Sequence, residues 1–283
     1  MILVILAAVA IFLIVQSLPA FVATGESASV LTTNFWDYVG PLVFGTVWAA
    51  VLALIIALPL SIGIALFISH YAPRKLSNVL GYLIDLLSAV PSVVYGLWGI
   101  LVLAPAVRPF YVWLNDHASW IPLFGGTASG TGRTILTAAI VLAVMILPVM
   151  TAISREVFLQ APKLNEEAAL ALGATRWEMI RLSVLPFAKP GIISGAMLGL
   201  GRALGETMAV AMVLSASGIV SFKLLTADNP STIAANIALT FPEAYGENVN
   251  VLIATGLILF IVTFLVNALA RWIVSRQTAR IGA

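Results

Sequence analysis

Six long apolar runs constrain the fold of this chain more than any other feature. A helix needs about 20 predominantly apolar residues to cross the hydrocarbon core of a membrane. The runs cover roughly residues 2–18, 41–69, 79–104, 134–156, 188–215 and 250–273. Only 9% of the residues are charged, against about 25% in soluble domains. The sequence therefore predicts an all-α integral membrane protein with six transmembrane helices.

The first run also has the length of a signal peptide, and small residues follow it. A signal peptide, however, requires a positively charged segment before its apolar core. No basic residue precedes this run in the sequence. We therefore expect a helix that is retained in the membrane.

Composition excludes several classes of function. The chain has no cysteine, which excludes disulfides, thiolate metal sites and cysteine nucleophiles. His70 and His117 fall in predicted loops, so we expect no metal site. The formal net charge of +2 is too small to indicate a nucleic-acid partner. The chain lacks the G-x-x-x-x-G-K-[ST] motif that cradles nucleotide phosphates. We therefore expect no catalytic residues and no cofactor in this chain.

The basic residues alternate between the two sides of the predicted membrane. Ten of the 14 lie in or beside the hydrophilic segments after the second, fourth and sixth runs, and three lie after the third and fifth. Arg202 lies inside a run. Because cytoplasmic loops carry the excess of lysine and arginine in membrane proteins, we expect both termini in the cytoplasm.

The hydrophilic segment 160–187 contains the signals of two short helices separated by a turn. Residues 166–172 are rich in helix formers, and Gly173 can end that helix in the left-handed conformation. Thr175 is a candidate N-cap for the next helix, with Glu178 three residues later as its capping-box partner. The segment is therefore predicted to be a helix–turn–helix. An amphipathic hairpin lying at the membrane surface is the alternative.

This segment resembles the loop of ABC-importer permeases whose pattern is EAA, then glycine, then Leu-Pro. Glu167-Ala168-Ala169, Gly173 and Leu185-Pro186 match that pattern, whereas Ser183 replaces its usual aliphatic residue. The resemblance implies that the loop docks into a cleft of an ATPase subunit. Ala168 and Ala169 would then seat the helix closely, and Glu167 would offer a charge to the partner.

Four longer stretches resemble the phosphate permeases of these importers. They are "SAVPSVVYGLWG" (88–99), "MILPVMTAISREVF" (145–158), "GLGRALGETMAV" (199–210) and "GLILFIVTFLVNALAR" (256–271). The resemblance implies a type I ABC-importer permease domain over 41–275, after an N-terminal helix and outer loop (1–40) and before a cytoplasmic tail (276–283).

The same resemblance implies the partners and the location. They are a second homologous permease subunit, two ATP-binding subunits that hold the ATP, an extracytoplasmic phosphate-binding protein and the lipid of a bacterial or archaeal plasma membrane. The alternatives are a sulfate or molybdate permease of the same architecture and an ion-coupled secondary transporter. In the last, the buried charges would form a proton relay.

Two charges inside the fifth run are the candidates for transport. Arg202 and Glu206 are four residues apart, so they would share one helix face. Three small residues, Gly191, Gly195 and Gly199, fall in the same sector and would let another helix approach closely. Arg202 would lie about 18 Å beyond Pro190, near the membrane midplane. Because intramembrane charges usually mark a substrate route, we assign the pair to the translocation pathway. A purely structural salt bridge is the alternative.

Asp85 is the third charge that we expect inside the membrane. It would lie near the cytoplasmic end of the third helix, on one face with Ser88 and Ser92, with Pro91 kinking the helix between them. A gating role and a structural pairing with a basic residue both remain open for Asp85.

The outer segment 216–249 contains a weaker helix signal. The stretch that begins at Pro230 has helical spacing at Ile233, Ile237 and Leu239. A short helix at the outer surface is expected there, with a solvated loop as the alternative.

Overall fold

A computed structural model describes residues 2–25, 27–31 and 33–281, without the side chains of 2, 3, 6, 270 and 273–281. Its regular elements in that range are helices. They are α1 (Ile2–Ser17), α2 (Phe35–Leu66), α3 (Arg74–Ser88), α4 (Ser92–Trp98), α5 (Ala104–Ala118), α6 (Ile135–Leu159), α7 (Lys163–Ala171), α8 (Arg176–Met179), α9 (Leu185–Leu204), α10 (Met208–Val213), α11 (Ile233–Thr240) and α12 (Glu247–Ile281). A single π-helical turn extends α2 to Tyr71, and others join α4 to α5 and α8 to α9.

Five stretches in the described part of the chain are long and apolar enough to cross a membrane. They are Phe35–Tyr71, Ser92–Ala118, Ile135–Leu159, Arg176–Leu204 and Glu247–Leu269. The first predicted run forms α1, which has only 16 residues and is thus shorter than the usual minimum of about 17. The all-helical membrane architecture is thereby established, whereas the sixth span stays a prediction.

The prediction of one continuous transmembrane helix over 79–104 is wrong. The chain forms the amphipathic helix α3, leaves helical geometry after Ser88, and starts α4 at Ser92. Pro91 lies in this break. Its ring disfavours helical geometry at the preceding residue, and it has no N–H to donate. The observed span is consequently Ser92–Ala118, and Asp85 belongs to α3, outside the five candidate spans.

Residue contacts divide the chain into two compact units. The first comprises Met1–Leu52, Ser92–Leu142 and Leu204–Leu265. Its buried cluster joins the start of α2 to the start of α12 through residues such as Phe35, Val39, Val251 and Ala254.

The short helix predicted after Pro230 is confirmed as α11, within the first unit. The Thr232 hydroxyl accepts a hydrogen bond from the Ala235 N–H and caps the helix. The Ile233 N–H donates to Thr46 Oγ1 of α2 at 2.9 Å. A Cβ at Gly45 would lie only 2.2 Å from the Ser231 carbonyl oxygen. This close approach explains why α2 carries a glycine where the segment before α11 crosses it.

The second unit comprises Ala53–Pro91, Ala143–Ala203 and Val266–Ala283. Its buried cluster contains Leu66 of α2, Phe158 of α6, and Met179, Ile180 and Val184 around the start of the fifth span. Because the predicted ATPase-docking loop joins two elements of this cluster, its base is attached to a packed apolar core.

Candidate functional site

The predicted docking loop forms α7, a turn at Gly173, and α8 with its π-helical extension. We call residues 163–184 the docking segment. Its first helix begins at Lys163, three residues before the predicted start, after Pro162 at the N-cap position. Gly173 has φ of +89°, and the following Ala174 N–H donates to the Ala169 carbonyl at 3.1 Å. The left-handed termination of the helix is therefore confirmed.

The predicted capping box is also present. The Glu178 N–H donates to Thr175 Oγ1 at 3.3 Å, and the Thr175 N–H donates to Glu178 Oε2 at 2.7 Å. These two bonds satisfy amides that a helix start leaves without partners. The direction in which the chain leaves the turn is thus fixed by four consecutive residues.

The two glutamates of α7 have different surroundings. Glu166 Oε1 lies 3.7 Å from Nε2 of His70, which follows α2. His70 Nδ1 lies 2.7 Å from Ser69 Oγ. Glu167 is exposed. Glu166 therefore lies against its own chain, while Glu167 is free to meet a partner. His70 was missed by the sequence analysis because no local pattern links it to Glu166.

The exposed surface of the docking segment carries large apolar side chains as well as small ones. Ala169 packs against the core of the second unit, whereas Ala168 is exposed. Leu172 is 90% exposed. The other large apolar side chains exposed on the segment are Leu164, Leu170, Trp177 and Leu182. Exposed apolar groups in such a cluster are typical of a surface that binds a protein or a membrane.

Three glycines of α9 bring it close to α6. A Cβ at Gly191 would lie 2.4 Å from Val157 Cγ2. At Gly195 and Gly199 the shortest such distances would be 3.2 Å to Ile153 and 2.9 Å to Met150. The contact residues on α6 recur at helical spacing, so the glycine face of α9 lies along one face of α6.

The predicted shared face of Arg202 and Glu206 is wrong. Helix α9 ends at Leu204, and α10 begins at Met208. Arg202 lies in the last turn of α9, instead of the middle of a continuous helix, and is half-buried. Glu206 lies in the connection and is 8% exposed. Its Oε1 accepts a hydrogen bond from the Ala209 N–H at 3.0 Å. The carboxylate thus satisfies an amide in the first turn of α10.

Asp85 lines a polar cavity in the second unit together with Arg155 of α6. It is exposed, and Ser88 Oγ donates to its backbone carbonyl at 2.7 Å. The predicted common face with Ser92 does not exist, because α3 ends before that residue. The sequence did not place Arg155 beside the same cavity as Asp85, because the helix on which Asp85 lies was predicted with the wrong bounds.

Comparison with known proteins identifies the family. The family of binding-protein-dependent transport system inner membrane components matches residues 57–279. The chain belongs to this family. The match covers the docking segment, the α6–α9 contact and the connection at 205–207.

Relatives of known function extend the likeness across nearly the whole chain. The phosphate transport system permease protein PstC 2 of Mycobacterium tuberculosis is 46% identical over 277 residues, covering 93% of this chain and 84% of that protein. The permease protein PstC of Mesorhizobium japonicum is 41% identical, covering all of this chain and 88% of that protein. A member of the family with this degree of identity has the same fold.

Solved structures support that fold independently. A chain of the inward-facing MetNI methionine ABC transporter matches with a TM-score of 0.55 at 17% identity, covering 86% of this chain and 94% of that one. A chain of a bacterial ABC transporter that imports alginate matches with a TM-score of 0.59 at 18% identity, covering 83% and 78%. The chain is thus a multi-pass membrane component with the fold of ABC-importer permeases.

Proposed function

We propose that this chain is the membrane permease subunit of an ATP-driven importer of inorganic phosphate. The observation that carries the proposal is the 46% identity to a phosphate transport permease over 93% of the chain. The likeness to importers of methionine and alginate concerns the fold alone and selects no substrate. The alternatives are a sulfate or molybdate permease and an ion-coupled secondary transporter. The reconstitution experiment described below distinguishes them from a phosphate permease.

The proposed partners are a second homologous permease, two ATP-binding subunits and an extracytoplasmic phosphate-binding protein. We assign the docking segment to the ATPase contact, through Glu167, Ala168, Ala169 and Gly173. Two features support this role. The segment rests on a packed core, and its outward side presents small and apolar groups with one free carboxylate.

The proposed mechanism is alternating access. ATP binding closes the two ATP-binding subunits, which move the docking segments seated in them. The docking segment is continuous with the candidate span Arg176–Leu204, so motion of the segment is passed to a membrane-spanning helix. The helix interface then opens outward to receive phosphate from the binding protein.

Arg202 and Glu206 are proposed to act on the translocation pathway. Both lie within "GLGRALGETMAV", one of the stretches that resemble phosphate permeases. Arg202 supplies a positive charge to the anion. Glu206 accepts a hydrogen bond from the Ala209 N–H with one oxygen, and its other oxygen can accept a hydrogen bond from the P–OH group of a protonated phosphate. Sulfate lacks that proton at neutral pH and would be repelled.

The proposed orientation places both termini and the docking segment in the cytoplasm of a bacterial or archaeal cell. The absence of native cysteine allows a direct test. Leu172→Cys on the docking segment and Trp120→Cys on the segment after α5 are both highly exposed positions. A membrane-impermeant maleimide should label Trp120→Cys in intact cells and Leu172→Cys only after lysis. Labelling of Leu172→Cys in intact cells would reverse the topology.

The function is tested by purification followed by reconstitution. The intact chain should co-purify with an ATPase and a second permease. Vesicles that contain this complex and the binding protein should take up labelled phosphate only with ATP, and excess sulfate or molybdate should not compete. Competition by sulfate or molybdate would support the related permeases. Uptake driven by an ion gradient without ATP would support a secondary transporter and contradict the docking assignment.

A further inference from the structure

A polar cavity of about 220 Å³ lies in the second unit, apart from the docking segment. Its walls are Asn78, Gly81, Tyr82, Asp85 and Arg155. The four residues of α3 recur at helical spacing, so they occupy one face of that helix. An amide, a phenol and a carboxylate therefore line the same cavity as the cationic side chain of Arg155.

The guanidinium of Arg155 lies flat against α3. A Cβ at Gly81 would be 3.0 Å from Nη1, 3.2 Å from Cζ and 3.4 Å from Nη2 of Arg155. Because these three distances are so similar, the plane of the guanidinium faces the α-carbon of Gly81. A Cβ at position 81 would require the guanidinium to shift by a few tenths of an ångström.

Arg155 is a charged donor without a matching acceptor. Its Nε is buried and has no hydrogen-bond partner among the described residues. Among the residues that the structure describes, no carboxylate oxygen lies within 4.0 Å of the Arg155 guanidinium nitrogens. A guanidinium has five N–H donors and stays protonated in proteins. A partly buried charge of this kind is stabilised when an anion satisfies it.

We infer that this cavity binds a phosphate ion that carries a proton. Arg155, the Asn78 amide and the Tyr82 hydroxyl donate hydrogen bonds to the unprotonated oxygens, and Asp85 accepts one from the P–OH group. This inference rests on the proposed function for the choice of phosphate as the ligand. Asp85 excludes a fully deprotonated oxyanion, because the carboxylate would then face oxygen without a hydrogen between them.

The same chemistry is present in a lipid headgroup that is a phosphate monoester, such as phosphatidic acid. The inference commits to the free ion. The transporter complex is therefore placed in nanodiscs of pure phosphatidylcholine, whose phosphate is a diester without an ionisable proton. Inorganic phosphate and phosphatidic acid are then added in separate arms.

The test measures how fast phenylglyoxal modifies Arg155, read by mass spectrometry of its peptide. Inorganic phosphate at about four times its dissociation constant should slow modification about fivefold, since four-fifths of the sites are then occupied. Arg176 is exposed and lies outside the cavity, and its modification should not change. Equal rates for Arg155 with and without phosphate would overturn the inference. Protection by phosphatidic acid but not by inorganic phosphate would also overturn it.

Substitution of Asp85 separates recognition of the proton from simple attraction of an anion. In the parent chain sulfate should protect Arg155 about tenfold less well than phosphate. In Asp85→Asn the two anions should protect equally. Asp116→Asn removes an exposed aspartate of α5 as a matched control and should behave like the parent. Equal protection by sulfate in the parent would contradict the role of Asp85.

Labelled phosphate uptake by the parent complex separates this inference from the proposed function. If phosphate is taken up while Arg155 is unprotected, the cavity assignment fails and the proposed function stands. If phosphate protects Arg155 while uptake is absent, the cavity assignment stands and the proposed function fails.

Discussion

The docking segment and the connection at 205–207 both join two helices, but they turn the chain by different means. In the docking segment, Gly173 adopts a left-handed conformation and Thr175 exchanges two hydrogen bonds with Glu178. At 205–207, a buried glutamate bonds to the amide of Ala209. The first turn uses residues whose typical role is capping, whereas the second uses Glu206, which periodicity alone would place on a helix face. Local capping chemistry is thus the better guide to where a helix ends.

Removal of the Arg202 charge, beside the connection at 205–207, should have the largest effect on phosphate uptake. Arg202→Ala should abolish phosphate uptake while the chain still inserts, since loss of an arginine lowers the cost of insertion by up to about 3 kcal/mol at the bilayer centre. Uptake by reconstituted vesicles and the amount of chain in the membrane are measured together. Arg108→Ala, at an exposed position of α5, is the control and should retain uptake. Loss of abundance in Arg202→Ala would indicate a structural role instead.

A side chain at the turn of the docking segment should have the next largest effect. Gly173→Leu forces a left-handed conformation at a cost of about 1–2 kcal/mol, and the φ of +89° is its only conflict because nothing lies within 4 Å. The ATPase should co-purify less well, and uptake should fall, at unchanged membrane abundance. Gly40→Leu is the matched control, since that glycine of α2 is also open but has an ordinary helical φ. Equal effects of the two variants would contradict a specific role for the turn.

The capping role of Glu206 predicts a difference between two substitutions. Glu206→Ala leaves the Ala209 amide without its acceptor and should lower stability by about 1–3 kcal/mol. Glu206→Gln keeps an oxygen for that bond and should unfold at nearly the parent temperature in detergent. Both should reduce phosphate uptake, because both remove the oxygen that is proposed to accept a hydrogen bond from the phosphate P–OH group. If the two variants lose the same stability, the hydrogen bond from the Ala209 amide does not stabilise the start of α10.

The smallest effect is expected at the two glutamates of α7. Glu166→Gln weakens a partly buried contact with His70 and should lower stability by at most about 1 kcal/mol. Glu167→Gln changes an exposed side chain and should leave the unfolding temperature unchanged while weakening ATPase co-purification. Thermal unfolding and co-purification of each variant are compared with the parent. The reverse pattern would exchange the assignments of the two residues.

Sequence alone determined the features that depend on neighbours in the chain. The apolar runs predicted the helical membrane architecture, because a segment in lipid must satisfy its backbone N–H and C=O groups internally, as a helix does. Gly173 and the Thr175–Glu178 pair set a turn through contacts within four residues. The spacing of Gly191, Gly195 and Gly199 indicated that a helix would approach α9, but not which one.

Tertiary structure decided which distant residues meet and where apolar helices stop. It paired α9 with α6, Glu166 with His70, and Arg155 with the Gly81 face of α3. It also ended α9 at Leu204 within a run that is apolar on both sides. Hydropathy reports only the environment a segment needs, so it does not distinguish one long helix from two shorter ones. The physical reason is that packing between helices is formed in three dimensions, and several chain paths satisfy the same apolar pattern.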